Sequence, residues 1–100
     1  MAIRRRVYVH VTGGVIDGTV GLKTDTIYAF FVAPDRQKRG VGSRLLVFVE
    51  EMAKSSGVRK IKVDASLTAK TFYANHGYRI VGEEEDKNYG AVVTMEKELW

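Results

Sequence analysis

Apolar and polar residues alternate from residue 7 to 11, and after Gly13-Gly14 a second extended stretch runs from 15 to 22. A period of two marks a strand and the glycine pair a turn, so this region predicts a hairpin. After Thr24-Asp25-Thr26 comes a continuous apolar run, Ile27-Tyr28-Ala29-Phe30-Phe31-Val32, closed by Pro34. Such a run predicts a central strand buried on both faces. The period then changes. Val41, Leu45, Phe48, Val49, Met52 and Ala53 recur at helical spacing, Arg44, Glu50, Glu51 and Lys54 take the opposite face, and Gly57 is the stop signal. Residues 59–65 alternate Lys60, Lys62 and Asp64 against Ile61, Val63 and Ala65, another strand. Ser66 is expected to cap a short second helix with Ala69, Phe72, Tyr73 and His76 on one stripe and Gly77 as terminator. Residues 78–82 and 91–99 predict a last hairpin, joined through the acidic residues 83–86, read as a solvated turn, and Asn88-Tyr89-Gly90.

The predicted order is three strands, helix, strand, helix, two strands. Antiparallel pairs at each end flank a strand–helix–strand crossover whose strands are parallel if they are neighbours. The fold class is therefore α+β, with helices on a mixed, mostly antiparallel sheet. No linker or repeat interrupts the pattern, and 100 residues suffice for one compact domain spanning residues 1–100.

Composition narrows the chemistry. With no cysteine, thiolate zinc sites and protein-thiol nucleophiles are excluded, and the two histidines, His10 and His76, show no ligand spacing, so no metal is expected. The longest strongly apolar run, residues 27–33, is far short of the roughly 20 residues a membrane-spanning helix needs. A soluble, cytoplasmic protein with no membrane partner is the expectation. The net charge of +4 is unevenly placed: Arg4, Arg5 and Arg6 form one basic cluster, and Arg36, Lys38, Arg39 and Arg44, against Asp35, form a second. Concentrated positive charge fits an anionic ligand, although a solvated surface alone explains it as well.

The second cluster lies in the stretch Pro34-Asp35-Arg36-Gln37-Lys38-Arg39-Gly40-Val41-Gly42-Ser43, between the most apolar strand and the longest helix. Gly40 and Gly42 permit close backbone approach there, and the free amides of the helix's first turn, its dipole and the adjoining cations converge. That combination makes a phosphate cradle. A dinucleotide fingerprint would need glycine where Leu45 stands, and a P-loop a lysine and hydroxyl directly after the last glycine, where Ser43-Arg44 follow. The following strand–helix unit returns Tyr73 toward the C-terminal end of the parallel pair, where open sheets bind ligands. A tyrosine on an apolar stripe is otherwise usually core.

Together these segments resemble the GCN5-related N-acetyltransferase (GNAT) family, from about Val7 to Met95-Glu96-Lys97. The resemblance rests on Val32-Ala33-Pro34, Gln37-Lys38-Arg39-Gly40-Val41-Gly42 and Phe72-Tyr73-Ala74-Asn75-His76-Gly77-Tyr78. It implies a sheet splayed between the strands ending at Val32 and near Ala65, with acetyl-CoA in the gap. Carried over residue by residue, it implies that backbone groups of Phe31 and Val32 pair with the pantetheine arm. Amides of Gln37, Lys38, Arg39, Gly40, Val41, Gly42 and Ser43 would hold the pyrophosphate. Tyr73 would hydrogen-bond the CoA sulfur and act as general acid, and Ser66 stands where many relatives contact the cofactor through asparagine. The activity so implied is direct acetyl transfer to an amine, small or lysine-like, with a backbone amide near Val32 polarising the carbonyl. His10, Asp25, Glu83 or a water chain are all open as proton acceptors.

Family members usually place a strand and two helices before the first hairpin, and this chain starts too late to contain them. Two expectations follow, a homodimer that buries otherwise covered apolar surface, and an acceptor pocket that is shared or open. A CoA-binding sensor without efficient turnover is the alternative reading. A basic nucleic-acid-binding module is a distant third, because no reader motif accompanies the arginines.

Overall fold

A computed structural model describes residues 5–37, 40–88 and 90–100. The elements along them are β1 (Arg5–Thr12), β2 (Val15–Lys23), β3 (Thr26–Val32), a 3-10 turn (Pro34–Arg36), α1 (Val41–Ser55), β4 (Lys60–Ser66), α2 (Lys70–Ala74), β5 (Arg79–Asp86) and β6 (Gly90–Glu98). The strands form one sheet in the order β1-β2-β3-β4-β6-β5. Its β3–β4 pair is parallel and the others are antiparallel, as the α+β reading requires.

Both helices stop where their glycines allow. Gly57 (φ 88°) and Gly77 (φ 91°) adopt the left-handed conformation that admits glycine without strain. In each, two reversed hydrogen bonds close the last turn: Gly57 N–H to Lys54 O with Val58 N–H to Ala53 O, and Gly77 N–H to Ala74 O with Tyr78 N–H to Tyr73 O. The apolar stripe of α1 (Val41, Leu45, Leu46, Val49, Ala53) is buried against Val20, Leu22, Ile27, Ile61 and Val63 of the sheet. Each large aliphatic side chain so buried contributes roughly 1.5–3 kcal/mol. Glu50 departs from the solvated face expected of it. It accepts from the Tyr78 hydroxyl (2.8 Å) and from Lys97 Nζ (3.2 Å), tying α1 to β6 and the end of α2.

Directly paired residues share a face of a sheet, so the register sorts the side chains. Gly18 lies on the helix side, because a Cβ there would stand 2.7 Å from Leu45 Cδ1. His10 and Val32 pair with it, and Tyr8 pairs with Val20 on the same side. Val7, Val9, Val11, Ile16 and Phe31 face the other way and are exposed. The expectation that β3 is buried on both faces therefore fails: Ile27 is buried, but Phe31 is 55% exposed. The physical reason is twofold. No helix among the described residues covers that face, and β4 pairs with β3 only at Thr26↔Lys62 and Ile27↔Val63 before the strands part.

Two further expectations change. Glu83, Glu84, Glu85 and Asp86 lie in β5, paired with Val93, Val92, Ala91 and Gly90, so the acidic run is edge strand and not turn. Charge on an edge strand opposes pairing with another chain. Ser66 Oγ accepts from Ala69 N–H (3.2 Å) and so caps the turn before α2, whose own N-cap is Ala69.

Candidate functional site

Where β3 and β4 part, the sheet opens into a cleft. One cavity of about 550 Å³ is lined by Thr26 to Phe30 on one wall, Val63 to Ser66 on the other, and Ala69, Tyr73 and Val92. A second, of about 670 Å³, is lined by Phe30, Val32, Gln37, Gly40, Gly42, Ser43, Thr68, Ala69 and Phe72. Phe30 and Ala69 line both, so the two cavities adjoin along a passage that runs from the start of α1 toward the gap in the sheet on either side of these residues.

The first end suits an anion. Gly40 (φ 81°) is the N-cap of α1 with no side-chain cap, no acidic residue occupies the first turn, and the first bond across that turn is Arg44 N–H to Gly40 O (3.0 Å). The amides of Val41, Gly42 and Ser43 precede that bond, and they sit at the positive end of the helix dipole. Gly42 keeps the passage wide, since an added Cβ would touch the Phe72 ring at 3.5 Å and Val32 at 3.7 Å. Ser43 Oγ lies 3.1 Å from His76 Nε2, while His76 Nδ1 lies 2.8 Å from Phe72 O, so the imidazole fastens α2 to the first turn of α1. The carbonyl can only accept, so Nδ1 carries the hydrogen of that bond.

Val32 presents backbone to the same passage. Ala33 N–H crosses to Asp17 O on β2 (2.9 Å). Strand amides alternate sides, so the N–H and C=O of Val32 point away from β2, toward the side that β4 has left. The Val32 carbonyl accepts Gln37 Nε2 there (3.3 Å).

Tyr73 closes the far end. Its ring is core, 5% exposed and in edge contact with Phe30 (6.1 Å), Phe72 (5.3 Å) and Tyr78 (5.5 Å). Its hydroxyl has no hydrogen-bond partner among the described residues, yet Tyr8 Oη is the one fully buried side-chain polar atom left unpaired among them. The Tyr73 hydroxyl therefore opens into the cavity it lines. Burial pushes the phenol up to about 12. Tyr78, by contrast, is pushed above the ordinary tyrosine range by burial and by the Glu50 carboxylate that it serves as donor.

Of the residues expected at the site, Val32, Gln37, Gly40, Gly42 and Ser43 line one end and Ser66 and Tyr73 the other. Val41 lines neither cavity, its side chain being core. Phe31 is not brought in. It pairs with Thr19 of β2 and turns its ring to the exposed face. Lys38, Arg39 and Arg4 lie outside the described residues. None of the named proton acceptors lines the cleft between β3 and β4. His10 Nδ1 holds Asp17 Oδ1 (2.6 Å) on the helix side, where Thr12 Oγ1 also donates to Asp17 (2.7 Å) and Arg44 Nε donates to His10 Nε2 (3.2 Å). Burial raises the Asp17 carboxyl, but the hydrogen bonds from Thr12 and His10 together hold it below its ordinary 3.8. Asp25 binds Thr26 and Lys62, and Glu83 borders a separate depression beside Leu67.

The cleft adds residues that the sequence did not single out. Phe30, Thr68 and Phe72 line the cavity at the start of α1, and Tyr28 and Asp64 the one between β3 and β4. Asp64 looked like one more polar position of an alternating strand, and only its place two residues before Ser66 hinted at the cleft.

Comparison with known proteins is consistent with this geometry. A family model described as the acetyltransferase (GNAT) domain matches residues 2–99. A GCN5-related N-acetyltransferase from Rhodopseudomonas palustris is 31% identical with a TM-score of 0.88, over 94% of this chain and 61% of that one. An acetyltransferase from Bacillus cereus ATCC 14579 is 31% identical with a TM-score of 0.79, over 96% and 74%. An aminoglycoside 6'-N-acetyltransferase complexed with coenzyme A has the same fold at 20% identity, with a TM-score of 0.85 over 96% of this chain and 73% of that one. The chain thus spans less than two thirds of the Rhodopseudomonas structure's length. No curated protein matches the chain.

Proposed function

The chain belongs to the GNAT acetyltransferase family, and from that membership we propose that it moves the acetyl group of acetyl-CoA directly to an amine acceptor, with no covalent enzyme intermediate. The observation that carries the reading is the pair of adjoining cavities that reach from the uncapped start of α1 to the Tyr73 hydroxyl. It has the chemical order of the cofactor, anion first, then an arm with amide groups, then a reactive tail. Acetyl-CoA supplies the activated acetyl group as a thioester.

The chain's own groups take these roles. The amides of Val41, Gly42 and Ser43, with the Gln37–Gly40 segment before them, hold the pyrophosphate. Val32 offers one N–H and one C=O to the pantetheine arm as a strand neighbour would, with Gln37 exchanging its bond to that carbonyl. The aromatic middle, Phe30 and Phe72, excludes water around the tail. Tyr73 donates a hydrogen bond at the departing sulfur. Full proton transfer from a phenol near 12 to the thiolate of a thiol near 8.5 is uphill by about 5 kcal/mol. Tyr73 therefore serves as a neutral donor that steadies negative charge, a lesser role than complete general acid.

Calorimetric titration with CoA and acetyl-CoA, followed by thiol release in the presence of primary amines, tests the reading. Binding of both with amine-dependent release is the expected result; absence of CoA binding sinks it, and binding without release marks the sensor alternative. Tyr73→Phe should lower kcat about 10- to 100-fold, the value of a hydrogen bond to a charged group, with CoA affinity held within about twofold. An unchanged kcat removes the role of the phenol.

A further inference from the structure

The outer wall of the cleft has a charge pattern that acetyl transfer alone does not require. Asp64 is the only acidic residue lining the β3–β4 cavity, and no lysine, arginine or histidine lines it among the described residues. A chain of net charge +4 thus carries a single formal charge in this cavity, and it is negative.

The carboxylate is held and unspent. Thr94 Oγ1, from the facing position on β6, donates to Asp64 Oδ1 (3.1 Å). Asp64 is exposed at the rim, and that bond leaves Oδ2 for a ligand. The cations nearest along the strand pair with other carboxylates: Lys62 with Asp25 (3.7 Å), and Lys60 with Glu96 (3.4 Å), which also takes Arg79 (2.9 Å). Asp64 has no cationic partner among the described residues. By register, Asp64 shares its face with Thr94 and Lys62, the side of the sheet away from the helices. Tyr73 rises from α2, on the helix side, and lines the same cavity. The cavity is thus bounded by a phenol on one side of the sheet and an uncompensated carboxylate on the other.

The reacting nitrogen is a poor partner for that carboxylate. An amine attacks only after losing its proton, and an adjacent negative charge favours the protonated form. Pairing Asp64 with the nitrogen that reacts would oppose the reaction. Pairing it with a second cationic group on the same acceptor has no such cost, and it orients the free amine inward.

We propose that the acceptor is a di- or polycationic amine, and that Asp64 is the specificity-determining residue that holds its non-reacting cationic group at the mouth of the cleft. The inference rests on the acetyl-transfer reading and adds the acceptor's chemical class to it.

Cadaverine and n-pentylamine test it, since they share a five-carbon chain and differ by one cationic group. Binding of each to the CoA-saturated protein is measured by calorimetry, and acetylation of each by kcat/KM. Wild type should favour cadaverine about 5- to 10-fold, the reach of a partly solvated, charge-assisted pair. Asp64→Asn should bring the cadaverine-to-pentylamine ratio close to one, and Asp64→Glu should restore most of the preference. A preference that survives Asp64→Asn, or a wild type with none, overturns the inference while the acetyl-transfer reading stands. Failure of CoA itself to bind overturns both, and CoA binding with neither probe acetylated overturns the inference, since in binding alone the single ammonium of n-pentylamine can also pair with Asp64.

Discussion

The two ends of β3 obey different rules. At Thr26 and Ile27 the strand has hydrogen-bonded neighbours on both sides, β2 and β4, and Ile27 is buried under α1. From Phe30 to Val32 it keeps β2 alone, its ring and backbone groups line a passage, and Phe31 is exposed. The residue types barely differ along the seven positions of the strand. What differs is whether a second strand is present, and chemistry is available only where it is not. A non-glycine residue with positive φ, Ala29 (49°), sits between the two ends. The register with β2 shifts across the same stretch, which swings the later half of the strand away from the regular ladder.

Substitutions can separate the packed region from the open one. The largest effect is expected at Leu46 on α1, which is fully buried in the packed half. Leu46→Ala should cost about 2–5 kcal/mol of stability, read as a lower urea midpoint, with CoA affinity little changed in the fraction that remains folded. A loss of CoA affinity matching the loss of stability would show that the two regions are one cooperative unit. Next is Gly42→Val in the passage. Its Cγ atoms would enter the space that Phe72 and Val32 already bound at 3.5 and 3.7 Å from the Cβ position. CoA should bind at least about 10-fold more weakly, which is about 1.4 kcal/mol, while the thermal midpoint stays nearly constant. Equal binding by the variant would take the pyrophosphate away from this turn.

The smallest effect concerns Asp17, a buried carboxylate on the packed side that lines neither cavity. Its folded-state pKa lies below its unfolded value of 3.8 because the bonds from Thr12 and His10 outweigh desolvation. Its contribution to stability is present above about pH 4 and declines as pH falls below that value toward the folded pKa. Asp17→Asn should flatten this part of the stability–pH curve without altering CoA affinity at neutral pH. An unchanged acid slope would mean that the His10–Asp17 pair does not govern acid sensitivity.

Much of this was legible before any coordinates. Period-two and period-3.6 stretches identify the strands and α1, because burial on one face imposes those spacings whatever the packing partner. Gly57 and Gly77 mark both helix ends for a local steric reason. The Gly40-Val41-Gly42-Ser43 turn and Tyr73 were legible as a pair through family resemblance. The features the sequence does not show share a cause as well. The exposure of Phe31, the strand conformation of the acidic run and the inward bond of Glu50 all depend on what stands opposite in space, and an apolar run reads alike with or without a covering layer. The role of Asp64 is hidden in the sequence for the same reason, since its lack of a cationic partner is a property of its neighbours.

Periodicity, glycine placement and the turn before α1 thus determine element order and where an anion can meet backbone amides, because these follow from local geometry and steric limits. Tertiary structure alone decides that β3 and β4 part after Ile27 and Val63, that the Tyr73 hydroxyl emerges into the gap, and that Asp64 stands on its outer wall without a counterion. Those outcomes are set by contacts between residues far apart in the chain, whose distances no single stretch of sequence encodes.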